Sequence, residues 1–264
     1  RWHGGSLPLS SQRIMRRIQF EVDGDRLVAD LHLPKGEGPH PAVVTSGPMT
    51  SVKEQVTGTY AKALAARGIA ALALDHRYFG ESAGTPRQYA HYPSKIADLK
   101  AGISALAEHS QIAATRLGAV GVCLGTGYLA HAIQDQPEIR AFAAIAGDYR
   151  DVPAMKASDP DGFDQKVAEG RAARRRFEAE GDVQTIPAVA LDCDAAMMIQ
   201  STYDFYAERA AHPNYTNAFA VMSREFFLPF DVQIAASGLS MPFLQVHGPN
   251  ALDPGWAAKF YDAV

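Results

Sequence analysis

The sequence predicts an α/β fold, a mostly parallel sheet with helices on both faces and an inserted helical cap. Three observations predict it. From Ala42 onward, short apolar runs alternate with stretches of helical periodicity. Gly121-Val122-Cys123-Leu124-Gly125 turns an apolar run, Arg116 to Val120, sharply into a helix-like run, Thr126 to Gln134. Finally, roughly ninety residues separate the strand-like Ile139 to Gly147 from the next comparable run, Pro242 to His247, where a crossover needs only about a dozen.

Arg13 to Val22 and Arg26 to Leu33 are β-rich runs around the turn triplet Asp23-Gly24-Asp25, an antiparallel hairpin. After the loop Pro34 to Pro41 come a strand at Ala42 to Ser46, a helix at Val56 to Arg67, a strand at Ile69 to Asp75 and a helix at Pro93 to His109. The elbow strand and its helix follow, then Ile139 to Gly147. In the insertion, Gln165 to Glu180 and the Met- and aromatic-rich Ala195 to Ala210 read as helices, with Arg174-Arg175-Arg176 a solvated face. Gly255 to Val264 is an amphipathic terminal helix. The expected organisation is a trimmed or tag-like N-terminus over residues 1–12, a core first part over 13–147, a cap over 148–240, and a final core part over 241–264 that is incomplete at its C-terminus.

A chain of 264 residues with 47% hydrophobic content suits one sizeable core. A net charge of -4 gives no general attraction to nucleic acid, and no apolar run is long enough to cross a membrane. The expected partner is a small molecule, with a homodimer allowed. Two cysteines, Cys123 and Cys193, are too few for a disulfide framework, and no apolar signal segment opens the chain, so a cytoplasmic location is expected. The histidines show no metal-ligand spacing, and no cofactor or metal is expected.

A strand that turns into a helix around a lone nucleophile needs small flanking residues. The nucleophile sits in a strained conformation, and the residues two before and two after it pass close to other backbone. At a helix start, unpaired N–H groups and the dipole favour a thiolate on Cys123, and the N–H of Leu124 can face a developing oxyanion.

Four separated motifs agree on one family. Ser46-Gly47-Pro48-Met49-Thr50-Ser51-Val52-Lys53-Glu54-Gln55, Asp75-His76-Arg77-Tyr78-Phe79-Gly80-Glu81-Ser82, the elbow, and His212-Pro213-Asn214 with Thr216-Asn217 resemble the cysteine-type α/β-hydrolases, similar to dienelactone hydrolases and the polyketide-transferase-like group. The resemblance runs from about Arg13 to Asp253. It implies an α/β-hydrolase fold with a cap and chemistry on a small ester, lactone or thioester, hence an esterase, thioesterase or acyltransferase acting through an acyl-enzyme. Cys123 matches the nucleophile, with Met49 or Thr50 sharing the oxyanion with Leu124. The acid falls at Asp253, with Asp148 as the fallback. The family's histidine follows a further strand that this sequence does not contain. Either a C-terminal segment is missing or hydrolysis is lost, and His76 is the candidate substitute base. Glu54, Tyr78, Asp148, His212 and Asn214 are the candidate substrate contacts.

Two other classes remain open. One is a binding protein or non-hydrolytic catalyst on the same fold. The other is a dinucleotide-dependent oxidoreductase, because Gly125-Thr126-Gly127-Tyr128-Leu129-Ala130 formally fits the phosphate fingerprint, with Asp148 near its acidic position.

Overall fold

The computed structural model describes residues 14–264. Residues 1–12, read above as trimmed or tag-like, lie outside the described residues, as does Arg13. β1 (Ile14–Val22) and β2 (Asp25–Leu33) form the expected hairpin, with Ile14 opposite Leu33 and Val22 opposite Asp25. Asp23 and Gly24 both take positive φ, 52° and 85°, the turn that matches the twist of the flanking strands. The chain continues through β3 (His40–Ser46), α1 (Val56–Ala65), β4 (Ala70–Leu74), α2 (Tyr92–Glu108), β5 (Ile112–Val122), α3 (Gly125–Ala132) and β6 (Ile139–Ile145). β5 begins at Ile112 rather than Arg116, because His40 pairs with Ile112 across an irregularity that the apolar run does not mark.

After β6 the chain builds the cap. α4 (Val152–Ser158) and α5 (Pro160–Glu180) are each capped by an aspartate, Asp151 accepting from the Ala154 N–H and Asp159 from the Gly162 N–H, both at 3.1 Å. α5 starts earlier than Gln165 for that reason, and it ends at Gly181 with φ 73°. Of the arginine triplet, Arg175 and Arg176 are exposed, while Arg174 reaches Glu225 at 2.6 Å. The stretch expected as one helix over Ala195 to Ala210 is helical only from Gln200. Asn217 bonds both the N–H and the carbonyl of Val189 (2.8 and 3.0 Å), and the Met197 N–H bonds the Ala188 carbonyl (2.9 Å), which holds the preceding residues extended. A short ladder joins β7 (Thr185–Ile186) to β8 (Phe219–Ala220). Between them lie α6 (Gln200–Tyr203) and a π-helical turn, Asp204–Arg209; α7 (Arg224–Phe227) follows β8. β9 (Phe243–Val246) and α8 (Pro254–Ala263) return to the core.

The main sheet has the order β1-β2-β4-β3-β5-β6-β9. β1 and β2 are antiparallel to their neighbours, and the rest run parallel, as helical crossovers require. Its central strands are apolar on both faces, and all of Ala70 to Leu74 is buried. Loops at the carboxyl ends of β3, β5, β6 and β9 therefore converge, which is where open α/β sheets build sites. The outer edge is different. On β9, Leu244 and Val246 are 59% and 52% exposed. No described helix is long and apolar enough to cross a membrane.

Candidate active site

Cys123 sits between β5 and α3 with φ 54°, the left-handed region that a residue with a side chain occupies only under local compulsion. Three backbone hydrogen bonds compel it. Its N–H donates to the Ile145 carbonyl at 3.3 Å, and its carbonyl accepts from the N–H groups of Thr126 and Asp148, both at 3.1 Å. The flanking glycines are required sterically. A Cβ on Gly121 would fall 2.5 Å from the Thr126 Cα, and one on Gly125 2.2 Å from the Ser46 carbonyl oxygen.

Above the elbow lies a cavity of about 560 Å³. Cys123, Leu124, Met49, Asp148, Arg150 and Asp253 line it from the core, while Met197, Phe205, Tyr206, Phe227 and Trp256 cover it with largely apolar surface. The N–H groups of Met49, Thr50 and Leu124 have no backbone acceptor among the described residues.

The electrostatics correct one expectation. Burial pushes the Cys123 thiol up to about 12, the Asp148 charge adds to that, and the Leu124 N–H opposes both without prevailing. The helix start alone does not make a thiolate here. Asp148 itself is raised to about 6, chiefly by burial, with Arg150 pulling it down and Asp253 pushing it up. Arg150 is buried beside them. Its guanidinium donates to the Phe227 carbonyl (2.6 Å) and the Leu228 carbonyl (3.3 Å) and lies 4.2 Å from the Phe227 ring, so it ties α7 of the cap to the core. Nothing in the sequence pattern distinguished Arg150 from an ordinary loop arginine.

The other candidates divide by place. Asp148 and Asp253 share the cavity with Cys123, whereas His76 does not line it. The His76 ring is buried against Tyr128 with Nδ1 3.4 Å from Asp98, and burial, then the Lys95 charge, lower its pKa to about 4. Tyr78, at φ 75°, packs on Tyr89 with its hydroxyl 3.4 Å from that of Ser94, also away from the cavity. Glu54, His212 and Asn214 line a second cavity of about 690 Å³, on the side of the loop after β3 that faces β1 and β2. There the Asn214 amide donates to Glu54 at 2.8 Å. Their spacing in sequence carried no information about which side of that loop they occupy. The described residues contain no His247 contact with Cys123 either, since His247 lies against Tyr149 and the Leu252 carbonyl. Among the described residues no cluster of His, Cys, Asp or Glu is arranged to hold a metal ion. The space beside the glycines of the phosphate-like fingerprint is filled by protein: Gly125 faces Ser46, and a Cβ on Gly127 would fall 2.5 Å from Val232.

Comparison with known proteins agrees with this architecture. The chain is 29% identical to PA2218 of Pseudomonas aeruginosa over 259 residues, covering 93% of this chain and 70% of that protein. The crystal structure of PA2218 superposes with a TM-score of 0.83 over 97% of this chain and 84% of that one, at 25% identity. The α/β-hydrolase GrgF from Penicillium sp. sh18 gives a TM-score of 0.78 at 19% identity, covering 95% of this chain and 86% of that one, a likeness of fold. 2,6-Dihydropseudooxynicotine hydrolase of Paenarthrobacter nicotinovorans is 26% identical over 170 residues, 62% of this chain and 44% of that protein. This chain thus spans less than half of that hydrolase. The X-Pro dipeptidyl-peptidase (S15 family) profile matches residues 23–228. With that match extending over most of the chain and the strand order, elbow and cap in place, the protein belongs to the X-Pro dipeptidyl-peptidase (S15) family and has the α/β-hydrolase fold.

Proposed function

We propose that this chain is an acyl hydrolase or acyltransferase for a small ester, lactone or thioester, with Cys123 as the nucleophile. The observation that carries the reading is the strained Cys123, φ 54°, between two glycines that admit no Cβ, at the floor of a mostly apolar cavity. Sγ attacks the acyl carbonyl carbon and the carbonyl π pair moves to oxygen. The N–H groups of Leu124 and of Met49 or Thr50 receive that oxyanion. Collapse expels the alcohol or thiol, which leaves with a proton, and an acyl-thioester stays on Cys123. Water, or a second nucleophile in an acyl transfer, then resolves it.

A thiol held near 12 needs a base. Asp253, on the loop after β9 and among the residues lining the cavity, is the proposed acid partner of that base. Asp148 is the alternative carboxylate. The apolar cap wall then selects the acyl group. The polyketide-like and dienelactone-like substrate classes, a cytoplasmic location and a homodimer remain part of this proposal.

Incubation with a p-nitrophenyl ester, followed by intact mass and peptide mapping, tests the reading. An acyl adduct on Cys123, lost in Cys123→Ala, is the expected result. Nitrophenol release that persists in Cys123→Ala, or an adduct elsewhere, overturns it. The second reading, a binding protein or non-hydrolytic catalyst on this fold, draws on the raised thiol and on the lack of a histidine lining the cavity among the described residues. Ligand binding without any acylation would favour it.

A further inference from the structure

The loop between β3 and α1, residues 47–55, brings Pro48 and Met49 to the cavity, and it is gripped from two sides. On the core side Lys53, wholly buried, donates through its backbone N–H to one oxygen of Asp75 and through its ammonium to the other, each at 2.8 Å. On the cap side the contacts come from one short stretch, residues 204–215. The Gln55 amide donates to the Ala210 carbonyl at 2.8 Å, and the Asn214 amide donates to Glu54 at 2.8 Å. Thr50 is buried near Tyr206 and Tyr215, whose rings stack 4.9 Å apart, and none of these three hydroxyls has a hydrogen-bond partner among the described residues.

That same stretch faces the substrate cavity. Its π-helical turn closes with the Ala210 N–H on the Phe205 carbonyl, 2.8 Å, and sets Phe205 and Tyr206 into the cavity wall. Such widened turns are rare and recur at functional sites. Here the turn has two sides: Phe205 and Tyr206 line the cavity, and the Ala210 carbonyl at its end accepts from the Gln55 amide.

Building on the acyl-transfer reading above, we infer that the cap segment 204–215 is a latch on the oxyanion loop, with Glu54, Gln55 and Asn214 as positioning residues. Seating an acyl group against Phe205 and Tyr206 then also fixes where the Met49 and Thr50 N–H groups point. Acyl recognition and oxyanion stabilisation form one mechanical unit.

Asn214→Ala tests this, because Asn214 is only partly buried and the substitution removes a single side-chain hydrogen bond to the loop. Phe205→Ala is the contrast, since it alters the cavity wall and leaves both amide contacts. The readouts are the limiting rate and half-saturation of Cys123 acylation by a p-nitrophenyl ester, and hydrogen exchange of amides 49–52. Asn214→Ala is expected to lower the limiting rate about tenfold, in line with the cost of small displacements in an active site, with half-saturation within about twofold. Exchange at amides 49–52 should rise at least as much. Phe205→Ala should mainly raise half-saturation. Unchanged exchange in Asn214→Ala overturns the latch whatever the chemistry. So does a loss that falls wholly on half-saturation. If the wild-type chain shows no acylation at Cys123 while exchange responds as expected, the acyl-transfer reading fails and the mechanical coupling stands.

Discussion

Lys53 grips Asp75 twice, its backbone N–H on one carboxylate oxygen and its ammonium on the other, both at 2.8 Å, with neither side chain exposed to solvent. Burial alone would lower the Lys53 pKa, but Asp75, with Glu54 and Glu81 beside it, raises it, so the ammonium stays charged. The Glu81 N–H takes up the Asp75 carboxylate as well, at 2.9 Å. The pair thereby joins the loop after β3 to the loop after β4.

Asp75→Asn leaves the Lys53 ammonium buried without its principal counter-charge. The expected loss is about 3 to 5 kcal/mol, the usual result of removing one partner from a buried ion pair. Urea unfolding followed by circular dichroism measures it. A loss below about 1 kcal/mol would show that Glu54 and Glu81 suffice to hold the lysine.

Alkylation should favour the wrong cysteine at neutral pH. Cys193 is exposed, whereas burial pushes the Cys123 thiol up to about 12. Iodoacetamide should therefore label Cys193 first, and the Cys123 rate should still be climbing at pH 9. Peptide mapping over a pH series reads both. A Cys123 rate that levels off near pH 7 would mean that a group outside this cavity lining activates it.

Asp148→Asn should speed that labelling. The Asp148 charge is the second cause of the raised Cys123 pKa, and the amide is nearly isosteric. Above pH 6, where the carboxyl is ionised, Cys123 in Asp148→Asn should react faster than in the wild type, while Cys193 should not change. Equal rates would place the carboxylate too far from the sulfur to influence it.

Acid should weaken the fold through His76. Its pKa is lowered to about 4 by burial first and by Lys95 second, against 6.5 in an unfolded chain. Between those values the unfolded chain binds more protons, so stability falls as pH drops below 6.5 and levels off below 4. At 1.36 kcal/mol per unit the loss is on the order of 3 kcal/mol. His76→Gln should flatten the stability profile over that range in urea titrations, and an unaltered slope would refute the assignment.

Gly125→Ala puts a Cβ 2.2 Å from the Ser46 carbonyl oxygen and 2.6 Å from that of Gly47. Backbone cannot yield there as a side chain would, so a thermal midpoint lowered by a loss of about 3 kcal/mol is expected. Near-native stability would mean that the strand-to-helix turn can relax.

The elbow was legible because hard sterics dictate it: Gly121 and Gly125 stand where a Cβ meets backbone, and no other residue serves. The parallel sheet was legible for a similar reason, since strands buried on both faces must be apolar throughout. Thiol ionisation was not, because local sequence exposes the helix start but not the depth of burial that outweighs it. Glu54, His212 and Asn214, candidate substrate contacts, line the second cavity rather than the one above Cys123, a choice made by tertiary packing alone. The π-helical turn at Asp204–Arg209 has no sequence period of its own; Met- and aromatic-rich residues there fit an ordinary helix equally well. Arg150 shows the same limit, being a buried cation whose partners are carbonyls some eighty residues away.

The two margins of the sheet will behave differently in a test tube. Along β1 the exposed Ile14 and Met15 are followed by exposed Arg16 and Arg17, charges that discourage a second strand from docking. Along β9 the margin carries Leu244 and Val246, with Tyr261 and Val264 of the adjoining terminal segment also exposed at 52% and 42%. Among the described residues, the β9 margin is thus an edge where apolar side chains and unpaired strand groups lie together, the combination that favours pairing with a second chain.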